Sequence, residues 1–329
     1  MRFQLIEPPS DNALTGGYLY NHRVVLELAR PDGATRCAVA RHEIDDALLR
    51  RKGPCIVDSL YLSEVSPRAL EGDPPVLLLV HYMADDAGGA VDPRVSAALR
   101  AARGVIVTSG FMSARVRARA PGVRVRVCRP GVDPFALAIP SERDTGLCQI
   151  LTVANFERRK GHLDLQEALR EVCDLEWHWH VIGDVAVDRE YAAEFGREAV
   201  RLGMAGRTTV HGPLSVELVR EHFESADLFA LLTTYEPYGM VFAESVASGT
   251  PVVAYDVGGV GESVRDGHTG FLVKPGARAD AARCIRDLLE SPLLRARMRQ
   301  ACVDDAPRFS TWGAAAECFA RSADDLARF

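Results

Sequence analysis

Short apolar runs alternate with longer amphipathic stretches along this chain, and the alternation runs through twice. In the first half the apolar runs fall at 2–6 (RFQLI), 36–40, 55–58, 76–80 (VLLLV), 104–108 and 123–128, with helical spacing at 18–30 and 111–120. A second series begins at 148–155 (CQILTVAN) and continues at 177–182, 207–210, 227–232, 251–255 and 270–273. Helical patterns separate these runs at 161–171, 186–203, 215–224, 240–248 and 280–290. Strands alternating with helices predict parallel sheets joined by crossover helices. Between the two series lies 129–146, "RPGVDPFALAIPSERDTG", rich in proline, glycine and charge, as a domain linker is. The expectation is two doubly wound α/β domains, at about 1–135 and 140–305, with the last helix, about 307–329, crossing back to the first. At 329 residues the chain suits two domains of about 150 each.

Composition narrows the class. Hydrophobic residues make up 47% and charged residues 26%, as in a soluble globular protein. No apolar stretch approaches the roughly 18 residues a membrane span needs. The opening "MRFQLIEPPSDN" has an acid and two prolines within its first ten residues and does not read as a signal peptide. A net charge of −6 argues against a general nucleic-acid binder. The eight cysteines are scattered without metal-like spacing and read as reduced thiols in a cytoplasmic protein. Only Lys52, Lys160 and Lys274 are lysine among 39 basic residues, so each retained lysine draws notice.

"EPYGMVFAESVASGTPVVA", 236–254, places Glu236 and Glu244 eight positions apart in an apolar run. Buried carboxylates are costly unless paired. A strand at 227–232 runs into "TTYEPYG", and a helix beginning near Gly239 would aim its free amides at an anion. Such a helix start flanked by carboxylates that accept hydroxyl hydrogen bonds suits a sugar nucleotide. Taken alone, the spacing is weak and common by chance, and the reading as a solvated loop residue and a partly exposed helix residue would win. The surroundings add a Gly-Thr-Pro strand entry, a Gly-Gly turn with Glu262 behind it, and, upstream, a loop carrying Arg158, Arg159 and Lys160.

With "RRKGHLDLQEAL", "VIGD", "TTVHGPLSVELV", "ADLFALLTTYEPYGMVFAESVASGTPVVA", "GGVGESVRDGHTGFLVKPG" and "FSTWGAAAE" in this order, the second half resembles the group 1 family of retaining, nucleotide-sugar-dependent glycosyltransferases. That family has the GT-B fold: two Rossmann-like domains facing an interdomain cleft, with ligands outside the carboxyl ends of the strands. The resemblance implies that Lys160 neutralises the donor diphosphate, Glu236 bonds the sugar hydroxyls, and Glu244 holds the ribose. The backbone from Tyr238 and Gly239 through Met240 to Val241 would meet the phosphates. The family usually has an arginine five positions before the lysine, where this chain has Asn155. Arg158 or Arg159 is then the candidate for the second positive charge.

In the first half, Gly16 and Gly17 stand between the first strand and the first helix, where the family often has a Gly-Gly loop at the reaction centre. His81 ends the apolar run 76–80, and the resemblance makes it a sugar contact. Asp85 and Asp86 are acceptor candidates. Residues 94–129 hold nine arginines and no acid, from Arg94 to Arg129. That patch reads as a solvated face or as an attraction for a phosphorylated acceptor or an anionic membrane surface. His178 and His180 share one face of "WHWH" and, without further ligands nearby, read as core or edge residues instead of zinc ligands.

The expected activity is transfer of a sugar from a nucleotide donor, UDP the expected nucleotide, to an acceptor hydroxyl with retention and without a metal or other cofactor. Against it stand a binding-only relative, which Asn155 alone hints at, and an epimerase or phosphorylase sharing the fold.

Overall fold

The computed structural model describes residues 3–9, 15–28, 34–83, 92–133, 135 and 147–328. These divide into two compact units, one running to Gly131 and taking up the chain again from Ser310, the other spanning Val132–Phe309.

The first unit is built in the order β1 (Gln4–Glu7), α1 (Gly16–Leu28), β2 (Thr35–Ala38), α2 (Ile44–Leu49), β3 (Cys55–Asp58), α3 (Pro67–Leu70), β4 (Val76–Val80), α4 (Pro93–Ala101), β5 (Gly104–Val107), α5 (Gly110–Arg119) and β6 (Val125–Val127). Its strands form one parallel sheet in the order β2-β1-β3-β4-β5-β6. All five residues of β4 are buried, as a central strand covered on both faces requires.

The second unit follows with β7 (Cys148–Val153), α6 (His162–Arg170), β8 (Trp177–Ile182), α7 (Arg189–Arg201), β9 (Thr208–Gly212), α8 (Val216–Ser225), β10 (Leu228–Leu231), α9 (Met240–Ala247), β11 (Val252–Tyr255), α10 (Val260–Ser263), β12 (Gly270–Val273), α11 (Arg278–Glu290) and α12 (Pro292–Asp305). Its parallel sheet runs β12-β11-β10-β7-β8-β9. The last helix, α13 (Trp312–Ala327), belongs to the first unit, where Phe319 packs against Phe3 and Tyr20.

Both sheets place the loops after β1, β3 and β4, and after β7 and β10, at their carboxyl ends, which is where ligands bind in folds of this kind. Burial alternates along β8: Trp177 and Trp179 enter the core while His178 and His180 face the other side. All eight cysteines are free. Among the described residues no helix is long and apolar enough to cross a membrane.

Two expectations need correcting. Gly16 and Gly17 are the first residues of α1 and not a turn ahead of it. The histidines of β8 do have further potential ligands nearby, because α8 and the edge strand β9 bring His222 and His211 against His180, with ring centroids 5.3 and 5.2 Å away. Pairing of β8 with β9 brings His180 and His211, 31 positions apart, side by side, and spacing along the chain does not show it.

Candidate functional site

In the second unit the site is assembled by two loops at adjacent strand ends. The loop after β7 carries Arg158, Arg159 and Lys160 in a single 3-10 turn closed by Gly161, whose backbone is left-handed (φ 70°). A Cβ on Gly161 would lie 1.9 Å from the Leu232 carbonyl oxygen, so only glycine lets this loop pass over the end of β10. The loop after β10 is stitched to it. The Arg159 carbonyl accepts from the Thr234 amide at 2.8 Å, the Thr233 hydroxyl at 3.0 Å and the Thr234 hydroxyl at 3.3 Å.

This arrangement puts the Lys160 ammonium 2.7 Å from Glu236 Oε2, with both side chains mostly buried at 15% and 11% exposure. A carboxylate so enclosed needs a counter-charge, and the one lysine of this loop supplies it. The Gly-Gly turn after β11 fixes Glu236 from behind: the Gly259 amide donates to the Glu236 carbonyl at 2.8 Å. Gly258, at φ 57°, approaches that same oxygen so closely that a Cβ would stand 2.0 Å from it. Immediately beyond, Gly239 caps α9, and helix geometry leaves the amides of Met240 and Val241 free for a ligand. Glu244, half-buried, lies one turn further into α9.

The remaining expected residues fall as follows. The Asn155 side-chain oxygen accepts the Asp184 amide at 3.0 Å, which ties the end of β7 to the turn after β8. Arg158 turns to α7, 2.9 Å from Glu194 and over the Tyr191 ring. Arg159 pairs with Glu157 at 2.8 Å within its own loop. Tyr238 packs in an apolar cluster with Val132, Ala243 and Ala247.

His162, next to the lysine turn, is fully buried and stacked on Phe156 with ring centroids 4.6 Å apart. Burial above all, with a small contribution from the nearby Lys160 charge, holds its imidazole down at about 4, and neither ring nitrogen has a hydrogen-bond partner among the described residues. The fold therefore refuses a proton that the unfolded chain takes up near pH 6.5. Stability is expected to fall as pH drops from about 6.5 to about 4 and to lose nothing more to this group below that, by roughly 3 kcal/mol at most. Urea melts at pH 7, 5.5 and 4.5 check it: the stability of His162→Phe relative to the protein should rise as pH falls through that window.

The first unit holds a second polar cluster at the ends of β1, β3 and β4. His81 Nε2 lies 2.8 Å from Asn21 Oδ1 and 3.7 Å from Asp58 Oδ2. The Asn21 amide nitrogen donates to Asp58 at 2.7 Å and to Glu7 at 2.9 Å, and Arg36 Nε donates to Glu7 at 2.6 Å. Burial lowers the His81 imidazole against the pull of Asp58, so a neutral ring donating through Nε2 to Asn21 is favoured. Gly17 lies beside that ring, where an added Cβ would stand 3.4 Å away, in ordinary van der Waals contact. Glu7, Asn21 and Asp58 were not singled out from the sequence. Their available signal was position, since Glu7 and Asp58 are the last residues of their strands. Asp85 and Asp86 lie outside the described residues.

Several members of the arginine run are engaged within the unit. Arg94 pairs with Asp92 at 2.8 Å, Arg103 with Asp73 at 3.2 Å, Arg126 with Asp325, and Arg124 donates to the Arg103 carbonyl at 3.1 Å. These partners favour the reading of a solvated structural face.

Comparison with known proteins agrees with this architecture. The sequence model of the family described as "Glycosyl transferases group 1" matches residues 139–303, half of the chain. The D-inositol 3-phosphate glycosyltransferase of Acidothermus cellulolyticus is 30% identical over 279 residues, covering 81% of this chain and 61% of that protein. Its counterpart in Streptomyces avermitilis is 38% identical over 122 residues, 37% of this chain and 26% of the relative. The chain thus matches from about a quarter to three-fifths of the length of these curated relatives. Among solved structures, Anabaena HepE in complex with UDP-glucose superposes with a TM-score of 0.81 at 18% identity, covering 99% of this chain and all of that one. A glycosyltransferase from Rickettsia africae gives 0.80 at 14% identity, covering 99% and 98%. With two parallel-sheet α/β units and a family match over half its length, the chain has the GT-B fold and belongs to the group 1 glycosyltransferases.

Proposed function

We propose that this protein transfers a sugar from a nucleoside-diphosphate sugar, with UDP as the nucleotide, to an acceptor hydroxyl with retention of anomeric configuration. The observation that carries the proposal is the enclosed Lys160–Glu236 pair, 2.7 Å apart, next to the start of α9. In this reading the donor diphosphate takes Lys160 from Glu236, and the amides of Met240 and Val241 hold the phosphate oxygens. Freed from the lysine, Glu236 accepts hydrogen bonds from the sugar hydroxyls, and Glu244 accepts those of the ribose. Charge developing on the leaving diphosphate is then met by Lys160 and the helix start, so no metal is required. Asn155 is occupied with Asp184 and brings no charge, which leaves Arg159 as the second cation of the loop.

UDP is supported by the Anabaena neighbour, whose structure holds UDP-glucose. The names of the curated relatives suggest a phosphorylated cyclitol as the first acceptor to try. The polar cluster around His81 supplies a neutral, positioned imidazole that can hydrogen-bond a sugar hydroxyl.

A melting panel tests the donor. UDP-, GDP-, ADP- and dTDP-sugars are offered in EDTA at about a hundred times a micromolar-scale dissociation constant. The right one should stabilise the protein by about 2.7 kcal/mol. A shift confined to UDP-sugars is the expected result, and no shift with any of the four would overturn the reading. Binding without turnover would instead favour the binding-only relative that Asn155 suggests.

A further inference from the structure

We propose that His180, His211 and His222 form a binding site for a first-row divalent cation of the zinc class, which fastens the edge strand β9 and helix α8 to β8. One nitrogen from each of the three rings lies within 4.8 Å of the other two. Each histidine comes from a different element, so an ion there would join all three.

The closest pair is already near coordination distance. His180 Nδ1 and His211 Nε2 are 3.0 Å apart. Two nitrogens on a tetrahedral zinc, each at about 2.0–2.1 Å, stand roughly 3.3 Å apart. Admitting the ion therefore asks for a few tenths of an ångström between these two rings and a modest approach by the third.

The hydrogen bonds behind His180 select the right tautomer. Gln149 Nε2 donates to the Leu147 carbonyl at 3.0 Å, which fixes the orientation of that amide. Gln149 Oε1 therefore faces His180 Nε2, 2.9 Å away, and can only accept. The proton of His180 then sits on Nε2, and Nδ1 presents its lone pair to His211. A ligating histidine whose other nitrogen donates to a fixed carbonyl is the usual supporting arrangement of metal sites. His178, its ring 4.8 Å from that of His180, is held aside by Thr209 at 2.8 Å. An all-imidazole set of borderline softness suits zinc, nickel or copper and not magnesium or calcium. Three protein ligands leave the fourth position to water.

All four residues of the argument, Gln149 included, lie on β7, β8, β9 and α8 of the second unit, and none belongs to the proposed donor site. The proposal stands whether or not that donor reading does.

The test uses tag-free protein freed of metal by EDTA dialysis, titrated calorimetrically with zinc chloride and melted with and without it. One equivalent should bind and raise the melting temperature. His211→Ala and His222→Ala should each weaken zinc binding by about a hundredfold or more, and Gln149→Ala by about ten- to a hundredfold. His42→Ala, on the exposed surface of the other unit, should leave it unchanged. His222→Gln on the helix keeps the test open if His211→Ala does not fold. Absence of a binding heat and of a melting shift, or binding that survives both His211 and His222 substitutions, would overturn the proposal.

Discussion

Lys160→Ala is expected to slow sugar transfer about a hundredfold while leaving a folded protein. The lysine is the cation enclosed beside the α9 amides, and loss of one charge-stabilising contact in a transition state is worth roughly 3 kcal/mol. The substitution also has a structural consequence. Glu236 is 8% exposed and would lose a partner now 2.7 Å away, so stability should drop by about 1–3 kcal/mol. The double variant Lys160→Ala/Glu236→Gln separates the two effects. Neutralising the stranded carboxylate should recover part of the stability and none of the rate. Recovery of rate along with stability would show that Lys160 serves the fold alone. Steady-state assays beside urea melts give both quantities.

Gly258→Ala should disable the same site from behind. At φ 57° any other residue is strained, and here the new Cβ would meet the Glu236 carbonyl oxygen at 2.0 Å. The left-handed backbone alone costs about 1–2 kcal/mol. The overlap is with backbone and not with a flexible side chain, so residues 236–238 must move or the turn must open. A total loss of about 3 kcal/mol or more in stability is expected, together with loss of donor affinity. Gly267→Ala is the control. It shares the left-handed conformation (φ 70°) but has nothing within 4 Å of the added carbon, so only the backbone cost of about 1–2 kcal/mol should appear. Equal effects at the two glycines would show that the close approach at Gly258 is relieved by small shifts elsewhere.

The strands at 55–58 and 76–80 lie where the apolar runs place them, because a strand buried in a parallel sheet leaves a continuous signature, and those at 177–182 and 270–273 also lie where expected although their burial is interrupted. Helices α4 and α12 were missed. In α12 arginines interrupt the apolar positions and Leu293 is 82% exposed, so the helix presents no clean stripe to read. At the candidate site, Lys160 and Glu236 were legible through the pattern around them, and the fold closes their separation of 76 positions to a 2.7 Å contact. The Glu7–Asn21–Asp58 support of His81 and the three-histidine cluster were not legible. Their members come from three or four separate elements, and only the sheet order brings them together. Asn155 marks a middle case. Its departure from the family pattern was visible, but its bond to the Asp184 amide belongs to tertiary structure.

The central claim is sugar transfer from a nucleotide donor, and proton NMR tests it most directly. The protein is incubated with the UDP-sugar chosen by the melting panel, with inositol 3-phosphate as acceptor, in EDTA. The account predicts that the donor's anomeric signal decays, that UDP accumulates, and that the product's anomeric proton keeps the donor's configuration. Lys160→Ala should show the same products about a hundredfold more slowly. A donor that binds yet stays intact, or a product of inverted configuration, would contradict it.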